Sequence, residues 1–106
     1  GWWDGAASRL KPSPDAEVGA VVAELAGGTD ALVERARVEA DAGNLRLACH
    51  LADFAGWAAP DDPNVHEARS AIYLTRRTLE SSLMSKGIFA AAARESEPVV
   101  RAATDK

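Results

Sequence analysis

Cys49 and His50 stand side by side, and a thiol beside an imidazole is the raw material of a nucleophile and its base. They lie within "LRLACHLADFAGWA", an alanine-rich stretch of helical periodicity, where adjacent side chains diverge by about 100° and cannot readily share a hydrogen bond. Cys49 therefore reads as a small buried apolar residue. Arg76 and Arg77 could hold an anion, but they too are adjacent and diverge. With Glu67, Arg69 and Glu80 they read instead as helix-supporting pairs three or four apart. Ser81, Ser82 and Thr75 have no visible base partner and read as solvated helix positions. His50 and His66 are the only histidines, and they fall on different predicted helices with no acidic or cysteine pair around either. Both read as surface or partner-contacting residues rather than metal ligands. No catalytic residue and no metal ligand is assigned to this chain.

What remains must be carried by elements rather than by a reactive cluster. The 106 residues suffice for one core, and 47% apolar with 26% charged residues is a globular composition. The net charge is -4, with acids and bases interleaved and no lysine or arginine run, so nucleic acid is not an expected partner. No stretch approaches the roughly 18 consecutive apolar residues of a membrane span, and no targeting segment opens the chain, which reads as soluble with its compartment unknown. The single cysteine excludes an intrachain disulfide.

Alanine fills 23 positions, and helix propensity is high from Asp15 to Glu95. Residues 1–14, with Gly1, Gly5, Pro12 and Pro14, read as an extended linker from an upstream domain. A first helix starts at Asp15, with Val18, Val21, Val22 and Leu25 recurring at spacings of three and four, and stops at Gly27-Gly28. A second, capped by Thr29, puts Leu32, Val33, Ala36 and Ala40 on one face. Gly43 ends it and Asn44 caps the third, about Leu45 to Ala59, so the two double back as an αα-hairpin. "APDDPNV" breaks the chain, with Asp61 or Asp62 capping a fourth helix from about Pro63 to Met84. Lys86-Gly87 is read as a break or kink before a short fifth helix in "IFAAAARE", and residues 97–106 as a frayed or linker tail. The expectation is an all-α fold of about five helices, with residues 15–96 as the domain. Small residues at Ala36, Gly43, Ala48 and Ala55, then Pro60, resemble one tetratricopeptide unit, which implies hairpins packed in that manner.

A wider resemblance runs from Gly27 to Tyr73, "GGTDALVERARVEADAGNLRLACHLADFAGWAAPDDPNVHEARSAIY". This stretch is similar to the dimerisation domain of the alkyl sulfatases of the metallo-β-lactamase superfamily, with its Gly-Gly, its "A-G-D/N" turn and its "A-x-P-D-[DN]" helix end. The opening "GWWDG" resembles the "G-[WY]-[YFW]-D-G-N-P" segment that leads into that region, although Ala6-Ala7 replace "N-P". After Tyr73 the family's "L-G-Y-Q-A" stretch gives way to "RRTLESSLMSKGIFAAAARES", the mark of a divergent member. The resemblance implies a homodimerising module without cofactor of its own. Its parent would be a sulfate ester hydrolase holding two zinc ions upstream, through an "H-x-H-x-D-H" cluster absent here.

On that reading the partners are a second copy and the upstream catalytic domain. Trp2 and Trp3 would pack against the latter or line its mouth, the alternative being that either folds back on this chain's own helices. Phe54, Trp57, Ile72, Leu79, Leu83, Met84, Ile88 and Phe89 are candidates for subunit or interdomain contact, and equally for core, since apolar stripes at helical spacing serve both. The alternative is a tetratricopeptide-like adaptor that binds a peptide in a helical groove.

Overall fold

The computed structural model describes residues 7–80 and 83–104, apart from the side chains of 7, 83–85 and 104. After a 3-10 turn at Ala7–Arg9 come five helices: α1 (Asp15–Ala26), α2 (Thr29–Asp41), α3 (Leu45–Ala58), α4 (Pro63–Leu79) and α5 (Leu83–Thr104). No strand occurs among the described residues, so the fold is all-α.

Local chemistry places the turns. Asp15 and Glu17 sit in the first turn of α1, where negative charge complements the helix dipole. Gly27 closes that helix in the left-handed region at φ 97°, and the Gly28 N–H reaches back to Ala23 O at 2.8 Å. Gly43 repeats the device at φ 87°, with Asn44 N–H on Glu39 O at 2.8 Å. Both are Schellman-type ends that reverse the chain within a few residues. Thr29 is the first residue of α2 rather than its cap, and Asn44 gives no side-chain cap to α3. Asn44 instead donates to Glu39 Oε1. The Asp62 carboxylate does cap α4, accepting from Asn64 N–H at 3.0 Å, with Pro63 preset for the first turn.

The second half differs from the sequence expectation. The break comes at Glu80, which is extended at ψ 139°, and Gly87 lies inside α5. The helix runs on through Pro98 to Thr104, so residues 97–104 of the stretch expected as a frayed or linker tail are helical. Pro98 costs one backbone hydrogen bond, but Ser96 just before it is fully buried and Val99 and Val100 just after it are half-buried. Tertiary contact on both sides of the proline overrides its local preference.

α3 is central, packing against α1, α2 and α4, while α4 and α5 form a second antiparallel hairpin. One core cluster joins Ala36, Ala48, Cys49, Ala52, Ile72, Tyr73 and Ala93; the other joins Ala23, Leu32, Val33, Ala55, Val65 and Ala68. Leu51 touches both. Ala36, Ala48 and Ala55, singled out by their spacing, are wholly buried and let the helix axes approach closely. α1 takes this furthest. Its inward face is Gly19 and Ala23, whereas Val18, Val21 and Leu25 point outward and only Val22 among the large residues is half-buried.

Gly19 and Gly87 are a matched test of that packing. A Cβ on Gly19 would lie 2.8 Å from both Phe54 O and Trp57 Cβ, while one on Gly87 would meet nothing within 4 Å. Gly87→Ala should stabilise the protein by about 0.5–1 kcal/mol through helix propensity. Gly19→Ala gains the same propensity but forces α1 off α3, and overpacking of about 1–3 kcal/mol outweighs it. Urea denaturation should show the two substitutions moving the midpoint in opposite directions.

Candidate functional site

Two features of the folded chain lie beyond simple core packing. The first is a partly buried polar cluster on α3, α4 and α5. Arg69 of α4 sends Nε to Asp53 Oδ1 of α3 at 3.0 Å, and Nη1 to Ala92 O and Ser96 Oγ of α5 at 2.8 and 3.1 Å. Its Nη2 lies 3.6 Å from the exposed Glu95 carboxylate. The guanidinium is 5.0 Å from the Tyr73 ring centroid, and the Tyr73 hydroxyl donates to the Asp53 carboxylate at 2.9 Å.

Ser96 Oγ accepts from Arg69 and also pairs with His66 Nδ1, 2.8 Å away, the donor of that bond following the imidazole tautomer. The other ring nitrogen, Nε2, is buried without a hydrogen-bond partner among the described residues. Gly56 borders the cluster, where a Cβ would make ordinary contact with Arg69 Cδ at 3.5 Å and His66 Cε1 at 3.8 Å. His66 is thus a tertiary residue and not a surface one, while His50 is exposed as expected. Arg69 is a bridge between helices rather than a member of a pair within α4. Its reach was not legible because its acceptors stand 16, 23 and 27 residues away, at no helical spacing.

Chemically the cluster is closed. Burial, and then the Asp53 carboxylate, push the Tyr73 phenol far above its ordinary value. Burial likewise pushes the Cys49 thiol up, against the opposing pull of Arg76, which keeps it protonated and a poor nucleophile. Among the described residues no three His, Cys, Asp or Glu side chains gather where they could hold a metal ion. These residues do not fit a zinc site.

The second feature is the outer surface. Leu79 is 71% exposed, Ile88 60% and Trp57 37%, so three of the interface candidates present apolar surface. Ile72 lies in the core, and Phe54 and Phe89 are half-buried against it. Phe54 meets Trp57 edge to face at 5.6 Å, and Arg76 covers the Phe89 ring at 4.2 Å. Trp2 and Trp3, and the side chains of Leu83 and Met84, lie outside the described residues. Sequence reasoning missed Val21 and Leu25, which are 50% and 83% exposed. The signal was present in α1, which is apolar nearly all round and so has more apolar surface than one contact can cover. No described helix is long and apolar enough to cross a membrane.

Removing the guanidinium leaves Asp53 and Tyr73 without a cation and Ser96 without its donor. Arg69→Ala should destabilise the protein by about 3 kcal/mol, and Arg69→Lys should recover little because a point charge cannot reach both helices. Thermal unfolding followed by circular dichroism measures both.

Tyr73 is the sole tyrosine, so its ionisation can be followed alone. Because its folded value is raised, the cluster's contribution is complete below the unfolded phenol value of about 10 and is lost as pH rises beyond it. Phenolate absorbance at 295 nm should stay low in the folded protein at pH 10.5 and appear together with loss of helicity at higher pH.

Comparison with known proteins bears on the outer surface. The family described as alkyl sulfatase dimerisation matches residues 1–98, reaching past the Gly27 to Tyr73 stretch to include the opening "GWWDG", all of α1 to α4, and α5 as far as Pro98. No curated protein and no solved structure matches the chain. A match over most of the chain places it: the chain belongs to the alkyl sulfatase dimerisation family.

Proposed function

We propose that this chain is the self-association module of a zinc-dependent sulfate ester hydrolase of the metallo-β-lactamase type, with the chemistry carried on a separate catalytic domain. The match over residues 1–98 carries this reading. The side-chain inventory supports it, because the Cys49 thiol is buried and the Tyr73 phenol and His66 imidazole are engaged in or beside the Arg69 cluster. Among the described residues no three His, Cys, Asp or Glu side chains gather as a metal ligand set.

The module's part is geometric. Holding two copies together fixes the separation and orientation of whatever each carries, and Trp2 and Trp3 would meet the catalytic domain at its junction with the module. Rigidity serves that role better than reactivity does. The packing of α3 against three other helices, and the bridging of α3, α4 and α5 by Arg69, provide it.

Sedimentation velocity over a hundredfold range of concentration should show a monomer–dimer equilibrium for the chain. Incubated with an alkyl sulfate and zinc, the same chain should release no sulfate above background. A strict monomer that captures peptides would instead support a tetratricopeptide-like adaptor, and zinc-dependent turnover by these 106 residues would end the proposal outright.

A further inference from the structure

α1 is built inside out for an isolated molecule. At about 100° per residue, Gly19 and Ala23 share one side of the helix and Val18, Val21 and Leu25 another, roughly 150° round the axis. The small side takes the close contact with α3, and the large side is exposed. A helix apolar all round is ordinarily covered all round. Glu17 and Glu24 border the bare stripe, both exposed, and no ion pair engages either among the described residues.

The complement of that stripe lies elsewhere on the same chain. Between the α2–α3 turn and the end of α4 is a depression of about 270 Å³, lined by Leu45, Arg46, Arg76, Leu79 and other residues of those elements. Among the described residues Leu79 is the most exposed large apolar residue outside α1. Arg46 has no ion-pair partner among the described residues, whereas Glu80 on the same rim is engaged within the chain. An acidic-edged apolar ridge therefore coexists in one molecule with a notch of mixed lining, in which Leu45 and Leu79 stand beside Arg46 and Arg76.

We infer that the ridge of α1, with Leu25 at its tip, seats in the notch beside Leu79 of a second copy, with Glu24 facing Arg46. This rests on the dimerisation reading above and names the surface that performs it. In a twofold dimer residue i meets j and j meets i, so each pairing of ridge with notch occurs twice. Two equal contacts share the burial of about 800 Å² per partner that a stable interface needs. Opposite charges at the edges fix the register and disfavour ridge against ridge, where Glu17 and Glu24 would face their own kind.

The test is sedimentation equilibrium on the full chain and on exposed-site variants. Leu25→Asp should weaken the dimer roughly tenfold or more. Glu24→Arg and Arg46→Glu should each weaken it several-fold, and the two together should restore it, since each partner then carries the reversed pair. Circular dichroism should show unchanged helicity throughout. Leu74→Asp, on the separate groove between α4 and α5, is the control and should leave the dimer intact. A wild-type dimer indifferent to Leu25→Asp, or one weakened by both single reversals but not restored by the double, would overturn this surface. A wild-type chain monomeric at every concentration would overturn the dimerisation reading itself.

Discussion

The structure depends on one guanidinium. Arg69 stands on α4 and holds its neighbours on both sides, Asp53 on α3 and the Ala92 carbonyl and Ser96 hydroxyl on α5. Its planar fork presents several donors in fixed directions, which a flexible ammonium cannot do. Apolar packing alone is tolerant of sliding, since one alanine replaces another at little cost. A bridge whose acceptors sit at defined points on two other helices is not, because any slip strands a partly buried charge. It sets the register of the α4–α5 hairpin, and with it the position of the last turns of α5 beyond Pro98. Ser96 sits at the centre of this arrangement, fully buried, which explains how a helix survives a proline two residues later.

Small residues impose the second constraint. Val65 and Ser96 are the largest side chains less than 2% exposed, and the rest of the buried apolar set is dominated by alanine. Alanine and glycine allow close helix contact, as at Gly19 on α3, but each buries little apolar area. The larger aliphatic residues are pushed outward as a consequence: Val18, Val21, Leu25, Leu74, Leu79 and Ile88 all remain substantially exposed. A thin core and an apolar exterior are two faces of one design. A chain of this size buries a modest fraction of its surface alone, and association supplies what the interior lacks.

How much of this could be read beforehand follows from the range of the interactions involved. Helix starts and stops up to Pro63 were legible because they are local: Pro14, Gly27, Gly43 and Asp62 act on residues within five positions. Ala36, Ala48 and Ala55 were legible because small residues at that spacing have a known packing purpose. The break at Glu80 and the continuation through Pro98 were not, because both are decided by the α4–α5 pairing rather than by Gly87 or Pro98 themselves. Nor was the outward turn of Val18, Val21 and Leu25, since their spacing is equally that of a buried stripe. Only the competing contact of Gly19 with the Phe54 carbonyl decides which face goes in.

That choice of face carries a functional consequence. Had α1 turned its valines toward α3, the helices would stand farther apart and the domain would be a better monomer with a blank acidic surface. Turning glycine and alanine inward does the reverse, trading interior volume for an apolar ridge with a charged edge. The gain in contact between α1 and α3 is small per residue, so the arrangement makes physical sense only if the ridge is covered in the assembled state. A family defined by dimerisation and a helix apolar on two sides therefore point to the same requirement. The Arg69 bridge then has a role beyond stability: by fixing α4 against α3 and α5, it holds Leu79 and the adjacent arginines where a second molecule must find them.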